Sequence, residues 1–337
     1  HRVNTVFGNL LSAETDDELQ ELAREIMPLM SEHENNISLN EKLFARIKTV
    51  YELADKAKLT PEQSKLLEDI YTGFVRNGAN LQGDAKEQYR NLCKELSLLT
   101  LQFSENTLKE TNDYRLVLTE KSQLSGLPES AIDAAVETAQ EKGVEGWVFT
   151  LHAPSYSPFM TYADNRDLRE KMWKGYTGNA QSGDTDNCPI IADIVKARAE
   201  KARIMGYKDF ASYMTDAVMA KTPEAAEALL MSIWNPAKAK VAEEVAEMQA
   251  VSDAAGNDFK IAPWDYYYFA EKVRQQKYAM DENAIRPYFA VDSVAKGIFA
   301  MAGKLYGVTF EELPDAPKYH PDVKVYEAKD ADGKHLA

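Results

Sequence analysis

The chain has 337 residues, 45% of them apolar and 28% charged, which is ample for a buried core and excludes a disordered tail or a small disulfide-dependent scaffold. Glycine and proline are scarce, at 16 and 13, so the composition favours helix over an all-β fold. A net charge of −15 repels phosphate backbones and anionic surfaces, which argues against nucleic acid as a partner.

Thr15 reads as a helix cap, followed by Asp16, Asp17 and Glu18 in the first turn and by Leu19, Leu22, Ala23, Ile26, Leu29 and Met30 at helical spacing on the side expected to face the core. Residues 14–42 carry nine acids against Arg24 and Lys42, a pattern expected on a solvated face. Asn40 caps the next helix, and Thr60-Pro61-Glu62-Gln63 combines a cap, an N1 proline and a capping-box Gln for a helix ending near Gly78. From Asp84 to about Thr111, Tyr89, Leu92, Leu96, Leu99 and Phe103 share one side of a helix long enough to span a domain. No fixed period relates these helices, which argues against a solenoid.

Short β-prone runs follow at Tyr114–Leu118, Trp147–Leu151 and Phe159–Tyr162, with a helix over Glu129–Glu141 and a turn at Ala153-Pro154-Ser155-Tyr156. Helices resume at Asn165–Tyr176 and Pro189–Met205, around a polar loop from Gly178 to Asn187 that runs into Cys188. Further helices are expected from Thr222 towards Ala255, with Pro236 as the place for a kink, then over Trp264–Tyr278 and Asp292–Tyr306, with Gly307 as a C-cap. Val323–Tyr326 reads as a strand, Asp330–Gly333 as a hairpin turn, and Lys334–Ala337 as the start of the returning strand. Because a strand without its partner is rare in a whole domain, the chain is expected to be part of a longer one. The fold class is therefore mainly α, a multi-helix body with a small inserted β-sheet.

Chemical motifs are few. Cys93 and Cys188 are expected as free thiols, and no run of about 18 apolar residues suggests a membrane span. A helical zinc hydrolase needs His-Glu-x-x-His, which sets two imidazoles one turn apart and leaves the Glu to activate a metal-bound water. Only His33-Glu34-Asn35-Asn36-Ile37 begins that way, and Ile37 stands where the second ligand belongs. Asp330, Asp332 and Gly333 lack calcium-loop spacing, and there is no phosphate loop, dinucleotide fingerprint or nucleophile elbow. The remaining feature is aromatic: Trp264-Asp265-Tyr266-Tyr267-Tyr268-Phe269 runs around a helix and cannot all face a core. Tyr266 and Tyr267 are accordingly candidate substrate-binding residues lining a polar cavity, against the alternative that they pack between helices.

Ala153-Pro154-Ser155-Tyr156, Met160 through Arg166 and Leu168-Arg169-Glu170 resemble the thimet oligopeptidase, oligopeptidase A and peptidyl-dipeptidase family of zinc metallopeptidases. So do Glu200-Lys201-Ala202 through Gly206-Tyr207, Pro263-Trp264-Asp265, Tyr268, Glu271, Ile285 through Phe289 and Leu305 through Phe310, in order along the chain. Thr222 through Ala226, Tyr319 through Val323 and Leu336-Ala337 are most similar to its bacterial peptidyl-dipeptidase branch. The resemblance implies a two-lobed, mostly helical enzyme enclosing a peptide channel, a catalytic zinc in the complete enzyme and release of C-terminal dipeptides. It implies an N-terminal helical region over 1–152 and the start of the catalytic region over 153–337.

The zinc motif is expected beyond Ala337, so no catalytic residue and no metal ligand is assigned in this chain, which is expected to be inactive alone and to bind no zinc. Short peptides are the expected partners, with a monomer in the cytoplasm, or in the periplasm or envelope if an export signal has been removed. A non-catalytic helical peptide- or protein-binding module on the same fold is the competing class.

Overall fold

A computed structural model describes residues 2–55, 58–279 and 282–337 and shows a mainly helical chain with two small antiparallel sheets. Two compact units are present: Leu22–Val273, and His1–Glu21 together with Arg274–Ala337.

In the Leu22–Val273 unit the local signals do what their chemistry predicts. Asn40 and Thr60 both cap helices, and Thr60 closes a full box: its hydroxyl accepts from Gln63 N–H at 3.2 Å while Gln63 Oε1 accepts from Thr60 N–H at 3.0 Å. The long Asp84–Asp113 helix packs along Cys188–Ile204. Between them the 178–187 loop is tied down by polar contacts. Asn187 donates to the Phe103 carbonyl (3.0 Å) and Thr107 Oγ1 (3.1 Å), and Glu110 accepts from Ala180 N–H (2.7 Å) and Thr185 Oγ1 (2.8 Å). Cys188, expected in that loop, is instead the first residue of the helix, because Asp186 takes its N–H at 2.9 Å and Pro189 suits the first turn.

The same unit holds a compact apolar core of Leu118, Phe149, Phe159, Met160 and Met172, all nearly inaccessible. Strands Leu116–Leu118 and Trp147–Phe149, narrower than the apolar runs that announce them, pair antiparallel with Leu116 opposite Phe149. Phe159–Tyr162, expected as a strand, is the end of a helix over Ala153–Tyr162. The apolar residues Tyr156, Phe159, Met160 and Ala163 are buried together at helical spacing, and Pro154 lies in the first turn, where a missing N–H leaves no bond unmade.

Nor is the Asp17–Ser38 helix covered as its spacing suggests, since Ala23 is buried while Leu22 and Leu29 stay exposed. It is held to the Asp84–Asp113 helix by long polar side chains: Arg24 donates to Glu105 at 3.0 Å and Arg90 to Asn36 Oδ1 at 2.7 Å. All nine acids of 14–42 are exposed, as expected of a solvated face. The Pro223–Ala254 helix continues through Pro236.

In the other unit Arg2–Ala13 is helical, an element no capping signal announces. Val291–Tyr306 ends on Gly307 at φ 70°, the left-handed geometry a glycine C-cap supplies. Phe299 of that helix stacks on Phe310 (4.4 Å) and meets Tyr326 edge-on (4.9 Å), which fastens it to the hairpin of Thr309–Glu312 and Tyr326–Lys329. The expected strand over 323–326 is thus shifted to 326–329, where pairing places Tyr326 opposite Glu312 beside Phe299. Asp330–Gly333 makes the predicted turn, and the following residues return alongside, with Leu336 N–H donating to the Ala328 carbonyl at 2.8 Å.

Candidate functional site

Around the Arg166–Thr177 helix the sequence builds two adjoining features. Asn165 caps this helix by accepting from Leu168 N–H at 3.2 Å, which sets Arg166 and Arg169, three residues apart, on one face. That face meets the turn Pro263–Asp265, where Asp265 is fully buried. Its carboxylate accepts from Arg166 Nε (3.1 Å) and Nη2 (2.8 Å), from Arg169 Nη2 (2.8 Å) and from Ala262 N–H (3.0 Å). Burial alone would raise the Asp265 pKa, but the hydrogen bonds from Arg166, Ala262 and Arg169 outweigh it and hold the group below the usual aspartate value.

Arg169, only 1% exposed, also donates to the carbonyls of Ala163 (2.7 Å), Asp164 (3.2 Å) and Trp264 (3.3 Å). It thereby satisfies carbonyls left over at the end of the Ala153–Tyr162 helix. Its guanidinium lies 4.2 Å from the centre of the Tyr268 ring, and that of Arg166 lies 4.1 Å from Phe259. The Tyr268 hydroxyl donates to Asp164 Oδ1 at 2.8 Å, and Ser125 donates to Asp164 Oδ2 at 2.6 Å. Burial, then the bond to Asp164, pushes the Tyr268 phenol up to about 12.

Beside this anchor stands a group of tyrosines. Tyr156 is 8% exposed and stacks on Tyr176 at 4.4 Å, while Tyr266 and Tyr267 meet edge-on at 5.8 Å. The Tyr156 phenol is pushed up to about 12, first by burial and then by the neighbouring phenols of Tyr267, Tyr176 and Tyr114. Tyr156 therefore stays neutral at physiological pH. Tyr267 is 55% exposed and Tyr176 52%, so the group opens to solvent. Neutral phenols offer donors and acceptors to peptide groups and ring faces to apolar side chains.

Of the expected substrate-binding pair, Tyr267 is near enough to the buried Tyr156 for its phenol to help raise the Tyr156 pKa, and Tyr266 meets Tyr267 edge-on. Sequence reasoning missed Tyr156, Tyr176 and Tyr114 as their neighbours, and Arg166, Arg169 and Asp265 as one charge cluster. An available signal was the Arg spacing just after an Asn cap; the partner aspartate is 96 residues further on.

Zinc finds no donor set here: among the described residues no three His, Cys, Asp or Glu side chains converge. His33 is on the exposed side of its helix, and His152 is engaged by Thr150 Oγ1 (3.2 Å) and Asn112 Oδ1 (3.1 Å). The residues present do not fit the metal, and no chemical step is assigned to it. Among the described residues, no helix is long and apolar enough to cross a membrane.

The sequence defines the class: residues 159–337 match peptidase family M3, and the chain belongs to this family of zinc metallopeptidases. It is 36% identical over 339 aligned residues to the dipeptidyl carboxypeptidase of Escherichia coli strain K12, covering 100% of this chain and 50% of that protein. Oligopeptidase A of Salmonella typhimurium is 30% identical over 334 residues, covering 98% and 49%. The organellar oligopeptidase A of Arabidopsis thaliana is 32% identical over 350 residues, covering 100% and 44%. The chain spans about half the length of the curated relatives it matches. The family match begins at Phe159, in the helix that carries Tyr156.

Proposed function

We propose that this chain is the substrate-holding part of a zinc metallopeptidase that cleaves short peptides and releases dipeptides from their C-terminal ends. The observation that carries this reading is the half-exposed tyrosines Tyr267 and Tyr176 near the buried Tyr156, on which Tyr176 stacks, within and beside the segment matched by peptidase family M3. The relative named dipeptidyl carboxypeptidase supplies the reaction type. The tyrosines receive peptide, and the Arg166–Arg169–Asp265 cluster holds the elements that carry them in register. Chemistry at the scissile bond belongs to residues outside this chain, which alone is inactive.

Tyr267→Phe, made in the protein expressed from its natural reading frame, removes one hydroxyl and leaves the ring. KM for a short peptide is expected to rise about three- to tenfold, the worth of one hydrogen bond, with kcat and melting temperature unchanged. An unchanged KM would remove Tyr267 from substrate binding.

A further inference from the structure

Away from the tyrosine site, two packed helices bring a thiol and an amine together. Cys93, on the Asp84–Asp113 helix, accepts from Lys201 Nζ at 3.6 Å, and Lys201 belongs to the Cys188–Ile204 helix packed alongside. Both residues are half-buried. Towards the other end of the same packing Asn106 donates to Asn187 Oδ1 at 2.9 Å, so the two helices run antiparallel and their register sets the Cys93–Lys201 contact.

No acid competes for this lysine. Its neighbour Glu200 is engaged by Arg203 at 2.8 Å, and among the described residues no carboxylate lies within ion-pair distance of Lys201. In a chain with 54 acids and 39 bases, this ammonium is held instead by a sulfur and a ring, with Nζ 4.9 Å from the centre of Tyr89. Tyr89 is 1% exposed and shares hydrogen bonds with Cys93 and with Tyr213, whose hydroxyl donates to the Arg76 carbonyl at 2.8 Å. Burial pushes the Tyr89 phenol up, so it stays neutral and fixes its neighbours without exchanging a proton with them. The other cysteine, Cys188, starts the helix that carries Lys201, about 20 Å away along its axis and beyond disulfide reach of Cys93. The nucleophile at hand for an oxidised Cys93 is therefore the Lys201 amine.

We propose that Cys93 and Lys201 form a peroxide-responsive pair that closes a sulfur–nitrogen bond, a sulfenamide, between the two helices. The Cys93 thiolate attacks one oxygen of hydrogen peroxide and the O–O bond breaks. Sulfur loses two electrons, the peroxide oxygens gain them, and Lys201 gives its proton to the departing hydroxide, which leaves as water. This produces a Cys93 sulfenic acid beside a neutral Lys201 amine. The amine nitrogen then attacks the sulfenic sulfur, the S–O bond breaks, and the leaving hydroxide takes a proton from nitrogen to form a second water. The separation of 3.6 Å is close to the roughly 3–3.5 Å of atoms poised to react. The bond ties together positions 108 residues apart in sequence, and it depends on neither the tyrosine site nor the peptidase reading.

The test is peroxide treatment of the protein expressed from its natural reading frame, followed by tryptic digestion without thiols and mass analysis. Residues 91–94 are expected joined to residues 199–203, at their summed mass less two hydrogens, and dithiothreitol should separate them. Lys201→Arg keeps the cation but supplies no such amine, so Cys93 should stop at the sulfenic acid, trapped by dimedone, with no joined pair. Lys201→Met, similar in length but with no proton to give, should also slow Cys93 oxidation about tenfold or more. Cys93 left as a thiol in the parent, or carried to sulfinic acid with no joined pair, overturns the proposal. So does a joined pair that retains an oxygen or resists dithiothreitol, a link that persists in Lys201→Arg, or an unchanged oxidation rate in Lys201→Met.

Discussion

Asp265→Ala is expected to destabilise the protein by about 3–5 kcal/mol, because it strips the counter-charge from two arginines at once and leaves the buried Arg169 without its carboxylate. Arg169 keeps three carbonyl acceptors, but these are dipoles and do not neutralise a full charge. Denaturant unfolding of variant and parent measures the loss, and a difference under about 1 kcal/mol would show that the cluster is dispensable. Acidification should act in the same direction. The folded-state pKa of Asp265 lies below its unfolded value, so its stabilising contribution is complete above an unfolded value of about 3.9 and is lost as pH falls through the folded one. The parent should therefore lose stability over that acid range more steeply than Asp265→Asn, which has no carboxylate to protonate.

The second large effect is expected at Gly126, which has φ +85° and passes close to the end of the Ala153–Tyr162 helix. A Cβ there would stand 2.2 Å from the Tyr162 carbonyl oxygen and 2.8 Å from the Asp164 carboxyl, and neither backbone nor anchored carboxylate can yield cheaply. The left-handed conformation alone costs an L-residue about 1–2 kcal/mol, and the collision adds to it, so Gly126→Ala should lose about 3 kcal/mol or more. It should also loosen the Ser125–Asp164–Tyr268 chain of hydrogen bonds, seen as a fall of the Tyr268 phenol from about 12 in an ultraviolet titration. Gly256→Ala is the control: its φ is +84°, close to that of Gly126, but nothing lies within 4 Å of its Cβ position, so only the conformational cost remains. Equal losses at the two glycines would contradict the close approach.

What could be read from the residues follows from the range of the interactions involved. Caps at Asn40, Thr60 and Thr222 act over three residues and lie in the sequence itself. The turn at Asp330–Gly333 is equally local, closed by Gly333 N–H on the Asp330 carbonyl at 3.0 Å. Phe159 and Met160 misled because a short apolar run suits a strand and a buried helix end equally well; Pro154, in the first turn, favours the helix, which continues through Pro158. The strand near the C-terminus was displaced because Phe299 and Phe310, far from it in sequence, select which residues pair. The site follows the same rule. Tyr266 and Tyr267 stand out in the sequence as adjacent aromatics, whereas Tyr156 and Tyr176 join them only through tertiary packing. Likewise Asp265 meets Arg166 and Arg169 from across the unit, and no local pattern announces such a pairing.

The peptidase reading is tested most directly by incubating the protein expressed from its natural reading frame with an N-blocked tetrapeptide and identifying the products by mass, with and without a zinc chelator. The account predicts release of the C-terminal dipeptide, abolished by the chelator and restored by added zinc. No cleavage, or cleavage that survives chelation, would contradict it.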